Sequence, residues 1–429
     1  MKLDNSVSPN LKIDGIPVSS FRIVYDPGED ACRVVAEKLN TWLMSHCGFR
    51  LETVEDPNTI DLRSCVVLGS VAGHRIPEQP YGDCSVYIQN RCVCIDATDI
   101  AGLTAGASYL VSALSHKTDT AFPFHTSLQT RDTYTQDPEA FLPVYRFINR
   151  IPPEELTLER KRQVLNDPAE RIFVIAHRGE HTFYPENSLE AAISAWRCGA
   201  DSVEVDIQKS ADGIWMCMHD PSVDRTTNAA EFLGRPGFPD SPLLSNWTYE
   251  QLRQLRLTDS YGKLTPFQIP TLAEILQLCH NRMYIHIDKQ FSVTDDIFPM
   301  MEEMNIFQCV YLVNKIRIDA ILKEKDHFSN LGIRLDSLVR PSKEQTASEL
   351  IPRILEHADT MTPAIIPLGD YDKHGTEEQE LSQKYGKQIR IGAWFLRDFD
   401  YEELWREARS YGISIFMTNH PMEVIALQL

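Results

Sequence analysis

"IFVIAHRGEHTFYPENSLEAAISAWRCGADSVEVDIQ", residues 172–208, sets the architecture. Ile172–Ala176 is an apolar run that stops at His177, Arg178 and Gly179. A short loop with two aromatics leads to Pro185, Glu186 and Asn187. Apolar residues at helical spacing follow. Asn187 reads as the N-cap with Glu190 as a capping-box partner, and Gly199 closes the helix. A second apolar run, 202–207, completes a strand–helix–strand unit of the parallel βα kind. The same texture runs to the C-terminus, with strands predicted at 172–176, 202–207, 283–288, 308–314, 332–338, 363–367, 389–395 and 412–417. Eight strands in roughly 260 residues are what an α/β chain needs to close a (β/α)₈ barrel over 171–429. Chemistry in such a barrel sits at the C-terminal strand ends, so His177 and Arg178 are expected at the mouth.

Upstream, the chain reads differently. Residues 1 to about 18 look like an irregular arm, and the rest of 1–118 like a small accessory α/β domain. "SFRIVYD" and "CVVLGS" are strands, Asp30–Ser45 is a helix, and "CSVYIQNRCVCIDA" is a hairpin around Gln89, Asn90 and Arg91. A second helix follows Asp99, a good N-cap. The order resembles the small α/β domain ahead of the barrel in several glycosidase families, the family 20 hexosaminidases for example. The pattern carries no acid/base cluster, which implies a positioning module. Residues 119–170, with prolines at 123, 138, 143, 152 and 153, read as a linker carrying one helix near Pro153–Leu165.

The 429 residues carry a net charge of −19. That argues against nucleic acid or an anionic membrane surface as partner, and requires a locally cationic site for any anionic substrate. Hydrophobic content of 43% fits a globular protein, and no apolar run is long enough to span a bilayer. The N-terminus has no apolar leader, so the default expectation is cytoplasmic; removal of a leader would make the chain secreted or periplasmic. Ten cysteines lack metal-type spacing and read as free core thiols of a reducing compartment.

Glu204 and Asp206 in "DSVEVDI" stand at i and i+2, on one face. Two exposed acids on a half-buried strand are one reading. A strand lining a barrel favours the other, a bound cation. The next segment, "QKSADGIWMCMHDP", is too short for a crossover and must be a hairpin. With Asp212-Gly213 as a two-residue turn, Asp206 falls opposite His219, and Trp215 and Cys217 share its face. A histidine returned to a carboxylate pair, near a second histidine, is an acid/base arrangement. Residues 221–268 form an insertion expected to shape a pocket over the mouth.

"HRG", "PENS", "EVD", "DG" and "HD" occur in order within residues 177–220, followed by "DRTTN" at 224–228 and "MTNHP" near the C-terminus. As a set these resemble the glycerophosphodiester phosphodiesterase family, over about 171–424. The resemblance implies metal-dependent hydrolysis of a phosphodiester to glycerol phosphate and an alcohol, a reaction of lipid metabolism. It implies His177 and His219 as the acid/base pair, Glu204 and Asp206 as metal ligands and Arg178 as a phosphate contact. His181 and Glu180 are expected only to line the loop. Two departures stand out. Asn419 replaces the usual Asp, and "MYIHIDKQ" offers Asp288 as third carboxylate with Lys289 adjacent to it. Lys289 remains a phosphate-binding candidate, and Trp394 an apolar wall of the substrate pocket. Carboxylate ligands favour one hard cation, Mg²⁺ or Ca²⁺. His286 lies two residues before Asp288 and is expected one layer deeper. A lyase releasing a cyclic phosphate would use the same groups, and a non-catalytic glycan-binding protein is the reading from another class.

Overall fold

The computed structural model describes residues 12–13, 16–54, 62, 64–71, 82–89, 92–115, 119–120, 125–128, 153–288, 294–306, 310–314, 337–339, 346–357, 364–365, 371–395 and 400–427. The chain divides into two compact units: residues 1–150 with 261–265, and residues 151–260 with 266–429.

In the second unit, eight strands form one parallel sheet: Phe173–Ala176, Ser202–Lys209, Tyr284–Asp288, Val310–Asn314, Ser337–Val339, Ala364–Ile365, Arg390–Phe395 and Ile415–Thr418. The first pairs with the second through Ile175↔Ser202 and with the eighth through Phe173↔Ile415. The sheet therefore closes on itself into a (β/α)₈ barrel. Of the fifth expected strand, 332–338, residues 332–336 lie outside the described residues, and the described part of the strand is Ser337–Val339.

Helix Leu189–Cys198 follows the first strand, and Gly199 ends it with φ 99°. Its N-cap is Ser188, whose Oγ accepts from the Ala191 N–H, so the expected capping by Asn187 and Glu190 is corrected. Helix Leu272–Cys279 starts on a capping box between Thr271 and Glu274. The segment expected to be a linker helix is a 3₁₀ turn, Pro153–Leu156, and a helix, Leu158–Asn166. Lys161 on that helix is fully buried and donates to the Ala200 carbonyl at the N-terminal side of the second strand. Arg390 is also fully buried there and binds the carbonyls of Ser414, Asp167 and Arg171.

The hairpin after the second strand differs from expectation by one residue. The register is Ile207↔Cys217 and Lys209↔Trp215, which places Asp206 opposite Met218. Ser210 and Ile214 close a three-residue loop in which Gly213 takes φ 88°. Ser210 Oγ caps it, bonding Asp212 Oδ1 and the Ile214 N–H. A one-residue slip exchanges faces. Met216 and Met218 thus enter a satellite core with Val223, Leu244, Trp247 and Leu257 of the insertion, while Cys217 packs in the barrel core.

The first unit holds a six-stranded sheet in the order Glu52–Val54, Arg22–Val24, Cys65–Leu68, Cys92–Asp96, Cys84–Gln89, His125–Leu128. Its two long helices, Asp30–Cys47 and Ile100–Ser115, pack on one another. The hairpin pairs Gln89↔Cys92 antiparallel, and Asp99 Oδ1 accepts from the Gly102 N–H. Eight described cysteines are free and buried, as expected of core thiols. Among the described residues, no helix is long and apolar enough to cross a membrane.

Candidate active site

The first strand ends at Ala176, and the backbone then turns sharply. Arg178 takes φ 55° and Gly179 φ 86°. A Cβ on Gly179 would lie 2.7 Å from the Ala191 backbone, so only glycine fits between this turn and the following helix. The turn aims the Arg178 N–H at Glu204 Oε2, 2.9 Å away. The Arg178 guanidinium reaches Asp206 Oδ2 at 3.3 Å through Nε and Glu186 Oε1 at 3.2 Å through Nη1.

Glu204 and Asp206 are both buried on the second strand, and Asp206 pairs in register with Asp288 on the third. One oxygen from each of Glu204, Asp206 and Asp288 lies within 4.8 Å of the others. Burial first, then the Asp206 and Asp288 charges, pushes the Glu204 carboxyl well above its usual range. Such a cluster is costly without positive charge inside it. Three carboxylates converging on one point are the donor set of a hard divalent cation, so the residues fit that group. His286 pairs with Glu204 in register, one layer deeper, and lies outside the three-carboxylate group.

Asn187 has a role at this cluster that its sequence position disguises. Its Nδ2 donates to Asp206 Oδ2 at 3.1 Å, and its Oδ1 accepts from the Asp206 N–H at 2.9 Å. Its φ of 57° and its N–H bond to the Arg178 carbonyl set that orientation. The loop therefore ties the first strand to the second.

His177 Nδ1 lies 2.8 Å from Asn419 Oδ1, and its Nε2 is 4.0 Å from Glu204 Oε2. Burial, then the Arg178 charge, pushes the His177 ring down to about 3. His181 Nε2 meets the same Asn419 oxygen at 3.0 Å, and its pKa is also lowered by burial. His181 is thus more than loop lining. Behind Asn419, Asp400 accepts from the Asn419 N–H, the Thr418 hydroxyl and the Trp405 indole, and burial raises its carboxyl to about 6.

His219 sits past the end of the hairpin, with its side chain 37% exposed. Its Nδ1 bonds Asp220 Oδ1 at 2.6 Å. Asp220 in turn accepts from Arg225, and that bond, aided by His219, holds it at about 2. Arg225 also forks onto Glu186 at 2.6 and 3.1 Å. Burial pushes Glu186 up, but the Arg225 bonds and the Arg178 charge outweigh it and hold the carboxyl below its ordinary value. Sequence reasoning missed Asn187, Glu186, Asp220 and Arg225 as members of this network, although all lie in the quoted motifs. Trp394 is half-buried against the barrel core and, by strand alternation, shares the face of Arg390. Lys289 lies outside the described residues.

A family model for the glycerophosphoryl diester phosphodiesterase family matches residues 177–417, more than half of the chain. Glycerophosphodiester phosphodiesterase 1 of Rattus norvegicus is 39% identical over 133 residues, covering 30% of this chain and 37% of that protein. The glycerophosphodiester phosphodiesterase of Caldanaerobacter subterraneus is 32% identical over 135 residues, covering 31% and 50%. The chain thus spans about a third to a half of the length of these relatives. A solved glycerophosphoryl diester phosphodiesterase from Parabacteroides distasonis aligns with a TM-score of 0.48 at 19% identity, covering 63% of this chain and 91% of that one.

Proposed function

The chain belongs to the glycerophosphoryl diester phosphodiesterase family, and on that premise we propose that it hydrolyses a glycerophosphodiester to glycerol phosphate and an alcohol. The observation that carries this reading is the convergence of Glu204, Asp206 and Asp288 beside Arg178 at the strand ends. These three carboxylates would hold one divalent cation, Mg²⁺ or Ca²⁺, which supplies the positive charge that a phosphoryl group needs in the transition state. Arg178 takes a phosphoryl oxygen in place of one of its carboxylate partners.

The partners of the two histidines divide their labour. Burial and the Arg178 charge keep the His177 ring uncharged; Nδ1 bonds the Asn419 amide oxygen, and Nε2 faces the acidic cluster as a proton acceptor. It takes the proton of the attacking water while the new P–O bond forms. His219 bonds the Asp220 carboxylate through Nδ1, which fixes the orientation of its ring at the mouth. It gives its proton to the leaving alkoxide as the old P–O bond breaks. Lys289 is a second phosphate contact, and Trp394 an apolar wall for the departing group.

³¹P NMR of metal-supplemented reactions on a panel of glycerophosphodiesters tests the reading. Glycerol phosphate is the expected product. A cyclic phosphate would mean that a substrate hydroxyl, not water, is the nucleophile. Absence of turnover on every diester would turn the site into a binding surface.

A further inference from the structure

Six side chains run in an unbroken line across the mouth of the barrel: His219, Asp220, Arg225, Glu186, Arg178 and Asp206. Its ends belong to the chemistry proposed above. Its centre, Arg225, touches neither phosphate contact nor histidine directly. Arg225 uses Nε for Asp220 and both Nη atoms for the two oxygens of Glu186. Its side chain is 46% exposed, and exposed ion pairs contribute little to stability. The geometry of the fork points to a function instead.

Resting on the hydrolase reading, we propose that Arg225 is a positioning residue that acts on both ends of the site. On one side it fixes the Asp220 carboxylate, which fixes the His219 ring with Nδ1 as donor. On the other side it shares Glu186 with Arg178. Glu186 Oε1 accepts from both guanidiniums, but Arg225 alone reaches both oxygens. When an anion draws Arg178 away, Glu186 keeps a two-bond partner and is not stranded. Without Arg225, the one guanidinium left on Glu186 among the described residues is Arg178, and Glu186 competes with the anion for it. A lysine in this place keeps the charge but cannot serve three oxygens at fixed angles.

The test compares the full-length protein with Arg225→Ala, Arg225→Lys, and Arg225→Ala combined with Glu186→Gln. Two readouts do not depend on turnover. One is titration with inorganic phosphate in the presence of Mg²⁺, and the other the ¹⁵N signature of the His219 ring. Arg225→Ala is expected to weaken phosphate binding at least roughly tenfold, the size of one charge-assisted hydrogen bond. It should also move His219 towards a mixture of tautomers. Arg225→Lys should recover part of the phosphate affinity and little of the tautomer. Adding Glu186→Gln should restore phosphate binding but not the ring signature. In turnover this becomes a split, with KM rescued and kcat not. Unchanged phosphate affinity and an unchanged His219 signature in folded Arg225→Ala would overturn the inference, as would failure of Glu186→Gln to separate the two effects. A parent that cleaves no phosphodiester defeats the hydrolase reading alone, because the phosphate and ring readouts still decide the role of Arg225.

Discussion

Asn187 and Ser188 are neighbours with different jobs, and the difference is a matter of a few ångströms. Ser188 caps a helix, while Asn187 turns the other way and holds Asp206 by two bonds. The two histidines differ in the same manner, by what their outer nitrogen meets: a neutral amide for His177, a carboxylate for His219. Replacing either histidine with Asn is expected to lower kcat by roughly 10²–10⁴-fold with the fold retained. Near-normal turnover in steady-state assays of either variant removes that histidine from the mechanism. The third carboxylate is separable as well. Asp288→Asn should weaken metal binding and activity together, with partial rescue by excess metal, and His286→Asn should be milder. A metal titration in which the His286 variant loses binding and the Asp288 variant keeps it would move the site down one layer.

At the scale of elements, the hairpin shows how one glycine resets a face. A two-residue turn at Asp212-Gly213 would pair Asp206 with His219. The observed loop has three residues, with Gly213 left-handed, and Met218 takes that place. His219 still joins the mouth, because the strand ends at Cys217 and the chain beyond it bends through Asp220 to Arg225. The helix start at Ser188 offers a clean test of element against site. Ser188→Ala should cost about 1 kcal/mol of stability through the lost cap, lowering Tm without changing metal affinity. Asn187→Gly keeps the left-handed backbone and deletes the amide, so metal binding should weaken while the helix is spared. Thermal melts and metal titrations of both variants check this. Equal effects on the two readouts would mean that cap and metal support are one unit.

At the scale of the whole molecule, the barrel keeps its chemistry at one end and a buried cationic plug at the other. Burial holds Lys161 down from 10.5 to about 8, against the pull of Asp201. The folded state therefore binds this proton less well than the unfolded one. The resulting penalty is fully present below pH 8 and fades as pH rises towards 10.5, where the unfolded lysine also discharges. Its size is on the order of 3 kcal/mol. Lys161→Met should raise Tm at pH 7, with a gain that shrinks as pH approaches 10; a gain independent of pH would refute the assignment. A truncation starting at Ile151 should retain the proposed phosphodiester hydrolysis, since the barrel strands and the candidate site residues all lie in the second unit. A folded, metal-loaded truncation without turnover would place part of the pocket in residues 1–150. The eight-strand alternation was legible in the sequence because each parallel strand needs its own apolar run and each return helix its own amphipathic stripe, both local patterns. Glu204 and Asp206 were legible as candidate site residues for a related reason, since polar side chains inside an apolar strand are expensive unless something pays them back, and His177 because it ends the first strand at the barrel mouth. Glu186, Asp220, Arg225 and Asn419 were not. Each sits in a polar loop or at a strand end, where charge is ordinary in sequence. Their roles come from contacts made across 39 positions for Arg225–Glu186 and 242 for His177–Asn419. Local patterning decided which segments become strands. Only closure of the barrel decided which loop carboxylate meets which guanidinium, because that pairing depends on distances in space that no spacing along the chain encodes.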